Sequence, residues 1–95
     1  MTIDSRKLCF ALECYLNNTH YNGWREICKG LSTYGFYRCD NDIELELNFL
    51  YFNVEVRFNR NISEPEFIKL VETAIKHKEM EILRSLEVIQ DLRMI

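Results

Sequence analysis

The side chains able to do chemistry in this chain are four cysteines, two histidines and a run of carboxylates near its middle. Cys9, Cys14, Cys28 and Cys39 follow the spacing C-x4-C-x13-C-x10-C. Structural zinc sites and dithiol redox centres are built on close CxxC pairs, and none occurs here. Cys9 and Cys28 fall on apolar helical stripes, where a free thiol behaves as a small hydrophobe; Cys14 and Cys39 are less clearly enclosed. His20 follows Cys14 by six residues, a spacing that allows a base–nucleophile pair across a helix end without enforcing one. His77, between Lys76 and Lys78, reads as a solvated residue suited to a helix C-terminus. A glycine-rich phosphate loop is absent, which argues against nucleotide-dependent catalysis. The expectation is a protein with no catalytic set, no metal and no cofactor.

The carboxylates carry more information. Segment 39–53 holds Asp40, Asp42, Glu44 and Glu46 and no lysine or arginine, whereas the chain as a whole has a formal net charge of only -3. Glu44 and Glu46 alternate with Ile43, Leu45 and Leu47, so they share one face of a strand, about 6.6 Å apart. Glu55 and Arg57 occupy the matching face of the next run. Paired carboxylates of a hydrolase need this kind of separation, but also a concave pocket and one raised pKa; an open sheet face supplies neither. Like charges on one strand face weaken the fold slightly, and the stripe would attract a basic partner and speed encounter with it. Phe49-Leu50-Tyr51-Phe52 adds an apolar tip beside the acids. Asp40, Asp42, Glu44, Glu46, Phe49, Tyr51, Phe52 and Glu55 are therefore the candidate partner-binding residues. The partner expected is a basic protein, one that itself handles nucleic acid, and the chain would act on it as an adaptor or as an inhibitor of the immunity or anti-defence type. The alternative is a small nucleic-acid-associated regulator using Arg25, Lys29 and Arg38 with nearby aromatic rings. Fifteen acidic against twelve basic residues argue against that alternative.

With 47% hydrophobic and 28% charged content, 95 residues make one domain, residues 1–95, with a modest core and a radius of gyration of ~12 Å. The first residues include an acid and no apolar run, unlike a secretory leader, and no stretch approaches the ~20 apolar residues of a membrane span. A cytoplasmic protein with reduced thiols is expected.

Leu8, Leu12, Tyr15 and Leu16 predict a helix over 5–18, capped by Ser5 or Asp4. Trp24, Ile27, Cys28 and Leu31 predict a second over 23–33, with Gly30 weakening its end. Segment 34–38 is aromatic and reads either as a connector or as a third, edge strand. Alternation predicts strands over 43–48 and 52–59. The apolar residues sit at odd positions in the first run and even positions in the second, so the chain reverses between them. Ser63-Glu64-Pro65-Glu66 is a capping box, with Ile62 and Phe67 as a hydrophobic staple, so a helix starts at residue 64. Lys76-His77-Lys78 interrupts its apolar stripe, which favours a break near 77–79 and separate helices over 64–77 and 79–93. Ile82, Leu83, Leu86, Ile89 and Leu92 would line the second of these. The fold class is α+β: a small two-layer domain in the order α-α-β-β-α-α, its antiparallel hairpin packed against helices. Two strands make a marginal sheet, so a homodimer through the second strand or the last helix would complete it.

Overall fold

Strict alternation builds the centre of the molecule. The computed structural model describes the backbone of residues 3–93 and the side-chain surroundings of residues 3–86. Its elements are α1 (Ser5–Leu16), α2 (Trp24–Ile27), β1 (Leu31–Cys39), β2 (Asp42–Phe49), β3 (Asn53–Asn59) and α3 (Glu64–Arg93). The strands form one antiparallel meander in the order β1-β2-β3. Along β2 and β3 every second residue is buried: Ile43, Leu45, Leu47 and Phe49, then Val54, Val56 and Phe58. The phase change between the two apolar runs is a true reversal, with Asn48 paired to Asn53.

The sheet has three strands rather than two, because the chain turns into β1 where the second helix was expected to continue. α2 ends at Cys28, whose backbone is extended, and the turn that follows, closed by the Leu31 N–H on the Cys28 carbonyl at 3.1 Å, places Gly30 at φ +85, a left-handed conformation that costs little only for glycine. The helix expected over 23–33 is thus a single turn, and Leu31, read as its last apolar contact, is the first residue of β1. β1 joins β2 through Asp40-Asn41, with Cys39 opposite Asp42 and Asp40 at φ 56. Asp is one of the few side chains that tolerates this region in a tight hairpin.

The helices cover the apolar face of the sheet in a second layer. Leu8, Ala11 and Leu12 of α1, Trp24 and Ile27 of α2, and Phe67, Val71 and Ile75 of α3 share one core cluster with the inward residues of the strands. Trp24 is the largest fully buried side chain, tilted against Tyr34 and Phe36 of β1. The α1 N-cap is Asp4, whose carboxylate accepts from the backbone N–H groups of Arg6 and Lys7. Lys7 reaches Glu26 at 2.9 Å and ties α1 to α2; that carboxylate raises the lysine pKa above its ordinary value.

α3 begins at residue 64 as the capping signal requires. The Ser63 hydroxyl accepts from the Glu66 N–H, and Ile62 and Phe67 both join the core. It does not break at 77–79. The helix runs unbroken through that segment, which contains no Gly or Pro and is held along its surface by Glu81, paired with His77 and Lys78. At 1.5 Å per residue α3 is about 45 Å long, whereas the seven-residue β3 spans about 23 Å. Its second half therefore projects beyond the sheet. This makes the longest dimension 55 Å and the radius of gyration 15.3 Å, above the compact expectation. Met80, Leu83 and Leu86 are exposed there; Ile89 and Leu92, expected on the same stripe, lie outside the described side chains. No helix among the described residues is long and apolar enough to cross a membrane.

Candidate functional site

The face of the sheet turned away from the helices gathers most of the candidate acids. The register places its side chains in four rows across β1, β2 and β3: Cys39, Asp42 and Asn59; Tyr37, Glu44 and Arg57; Gly35, Glu46 and Glu55; Thr33, Asn48 and Asn53. Four carboxylates thus meet one cation. Arg57 Nε donates to Asp42 Oδ2 at 3.1 Å, a diagonal pairing. Asn48 Nδ2 donates to Glu46 Oε1 at 2.9 Å and to Thr33 Oγ1 at 3.1 Å. The Cys39 thiol lies 3.9 Å from a carboxylate oxygen of Glu44. Among the described residues no cation pairs with Glu44, Glu46 or Glu55.

Glu46 and Glu55 stand directly opposite each other. The end of the hairpin is closed by a hydrogen bond from the Phe49 N–H to the Phe52 carbonyl, and Arg60 N–H donates to the Asn41 carbonyl at its other end. Antiparallel pairs alternate between bonded and non-bonded, so Glu46–Glu55 is a non-bonded pair, the kind whose side chains approach most closely. Tyr37 lies flat over Gly35 beside them: a Cβ at Gly35 would fall 2.9 Å from the Tyr37 hydroxyl oxygen. The ring is half exposed, so the acidic rows are flanked by an accessible aromatic surface.

The remaining candidates separate. Asp40 sits in the β1–β2 turn, exposed but off the sheet face. Phe49 is buried, and its ring stacks on the partly buried Phe52 with centroids 4.7 Å apart. The pair closes the end of the core, so Phe49 is not available as a docking residue. Leu50 and Tyr51 are left at the tip, 75% and 87% exposed. Arg25 lies in α2 and Lys29 in the turn before β1, whereas Arg38 is near the far end of β1, about 23 Å along the strand from Leu31; they do not form one patch. Sequence reasoning missed Tyr37 and Gly35 as parts of this face. The available signal was the two-residue turn Asp40-Asn41 between β-prone runs, a hairpin signature.

The thiols are free and unclustered. Cys28 is fully buried, and burial pushes its pKa up to about 11. Burial also raises Cys9, though Cys9 is only half-buried whereas Cys14 is enclosed, the reverse of the expected assignment. Thr19 folds back over this end of α1, its N–H and hydroxyl both donating to the Cys14 carbonyl. His20 is exposed at the rim of a crevice of about 240 Å³ bounded by Tyr15, Tyr21, Trp24 and Tyr34, and Cys14 is not part of that lining. Among the described residues no three His, Cys, Asp or Glu side chains converge as a metal site. A larger groove, about 520 Å³, runs between β3 and α3, bounded by Asn53, Val54, Glu55, Leu70, Ala74 and His77 among others.

No protein-family model, curated protein or solved structure matches this chain.

Proposed function

We propose that this chain is a small, non-enzymatic protein-binding module, an inhibitor or adaptor whose outer sheet face engages a partner of basic surface. The observation that carries this reading is the unbalanced charge of that face: Asp42, Glu44, Glu46 and Glu55 against Arg57, with Glu46 and Glu55 opposed across two strands. Directly opposed like charges destabilise a sheet, so the arrangement serves something other than the fold. A partner presenting lysine and arginine side chains would convert the repulsion into attraction and would be steered toward it. Tyr37 adds a half-exposed ring suited to stacking under an arginine.

The test is capture from lysate of the native host by the wild-type chain and by a Glu44→Lys/Glu46→Lys variant. The wild type should retain a basic protein whose binding weakens as salt rises, and the variant should lose it. Equal retention by both forms would remove the acidic face from the interaction.

A further inference from the structure

The open edge of the sheet leads to a second conclusion, independent of the acidic face. β3 pairs with β2 on one side and, among the described residues, with nothing on the other. Of the devices that usually close an edge it carries only charged side chains, Glu55 and Arg57. It has no proline, its register with β2 is unbroken, and its charges point to the solvated face rather than into the pairing plane. β1, the opposite edge, bulges at Ser32, where its register shifts between Leu31 and Thr33. The hydrogen-bond alternation fixes which groups β3 offers. Val54, Val56 and Phe58 spend their backbone N–H and C=O groups on β2, so Asn53, Glu55, Arg57 and Asn59 direct theirs outward.

We infer that the occupant of this edge is a second copy of the chain, paired antiparallel through β3 about a two-fold axis at Val56. In that register Glu55 lies opposite Arg57 of the second copy and Arg57 opposite its Glu55, while Asn53 pairs with Asn59. All four outward-directed residues meet outward-directed residues, so the backbone ladder is complete. On the inner face Val54 meets Phe58 and Val56 meets Val56. Charge selects this register over its neighbours. A one-residue slip would turn apolar side chains to solvent. The next permitted slips, of two residues, set Glu55 against Glu55 in one direction and Arg57 against Arg57 in the other. Only the full overlap of residues 53–59 opposes unlike charges. Arg57 uses its Nε for Asp42, which leaves the rest of its guanidinium donors for the glutamate across the axis.

A two-fold perpendicular to the sheet places both copies of α3 on one side, antiparallel and adjacent. The groove between β3 and α3 then faces the second copy. Because Asn53 pairs with Asn59 across the axis, the acidic first turn of the second α3, with Glu64 and Glu66, comes toward the end of the groove where His77 and Lys78 stand. The dimer is a continuous six-stranded sheet. It gives Glu55 a cation but leaves Glu44 and Glu46 of each central strand without one.

Sedimentation equilibrium with charge-exchanged chains tests this. The wild type should move between the mass of one chain and of two as concentration rises. Glu55→Arg and Arg57→Glu should each weaken self-association by about tenfold or more, because each places two like-charge pairs across the axis. Mixed in equal amounts, the two variants should associate with wild-type affinity, since every cross-axis pair is again of opposite sign. Glu55→Pro removes an outward N–H that the monomer does not use; it should keep the wild-type circular dichroism and sediment as one chain. A wild type that stays at the mass of one chain up to ~1 mM, a mixture no tighter than either variant alone, or a folded Glu55→Pro chain that still dimerises would each overturn the inference.

Discussion

Reversing the charge of Glu46 should stabilise the fold while removing the feature proposed to bind a partner. Glu46 and Glu55 form a non-bonded antiparallel pair, whose Cβ atoms are about 4.5–5.5 Å apart. Two charges at that separation on a wet surface repel by about 0.8 kcal/mol. Glu46→Gln removes the repulsion and keeps an acceptor for Asn48, so a gain of about 0.5 kcal/mol is expected. Glu46→Lys turns repulsion into attraction, toward Glu55 and toward Glu44 on the same face. It loses the hydrogen bond from Asn48, which offsets part of the gain, and the net expectation is about 0.5–1 kcal/mol. For a domain of this size that is a rise of about 3–6 °C in Tm. Urea unfolding at low micromolar chain concentration, where self-association contributes least, measures it directly. The gain should shrink in 1 M salt, where the screening length falls to ~3 Å. A Lys variant less stable than the wild type, or a gain indifferent to salt, would show that the two carboxylates do not burden the fold and would remove the energetic premise of the proposed binding face.

Two further outcomes follow from the core and from α3. Because burial holds the Cys28 thiol near 11 against an ordinary 9.0, the unfolded chain ionises first. Stability is unaffected below pH ~9 and falls between pH ~9 and ~11 by up to about 2–3 kcal/mol, so chemical unfolding as a function of pH should show a shallower alkaline decline for Cys28→Ala than for wild type. The continuity of α3 predicts a backbone separation of ~22 Å between positions 69 and 84; spin labels there, in a folded chain lacking its native cysteines, would report roughly 10 Å if the helix instead doubled back at 77–79.

The features the sequence conveyed best were those governed by a short local period. Alternation across residues 43–58 assigned the inward and outward faces of both strands, and the phase change required a reversal within residues 48–53 without fixing the turn. The capping residues around Ser63 located the start of α3. What escaped was set by packing. Leu31 continues the helical spacing of Trp24, Ile27 and Cys28 because both elements aim the same way at the core, although Gly30 redirects the chain between them. In β1 the bulge at Ser32 shifts the alternation, so that Leu31 and the later Tyr34 and Phe36 all face inward while Tyr37 faces out. An aromatic on each face leaves no period to detect. The apolar turn 49–52 lacked turn residues because two of its four side chains stack to close the core. The break expected in α3 rested on the premise that one chain must cover all of its own leucines. Helix-forming residues and the pairs to Glu81 carry the helix past the sheet with Leu83 and Leu86 still exposed.

The same distinction between local and cross-strand information applies to the site. Alternation alone puts Glu44, Glu46, Glu55 and Arg57 on one face, but it does not say which of them meet. Register decides that, and register depends on where the turn falls. Had the hairpin turned one residue later, with Glu46 opposite Arg57 instead of Glu55, the face would hold an ion pair at its centre and would give no reason to look for a cation elsewhere. In the register observed, the arginine is drawn off diagonally to Asp42 and the two glutamates are left confronting each other. The binding proposal begins from that confrontation, and the dimer from the unpaired edge of β3. One places a basic partner over Glu44 and Glu46; the other places Arg57 of a second copy beside Glu55. The two are compatible because they occupy different boundaries of the strand pair, the face and the edge. They also separate experimentally, because Glu46→Lys alters only the face and Glu55→Pro chiefly the edge.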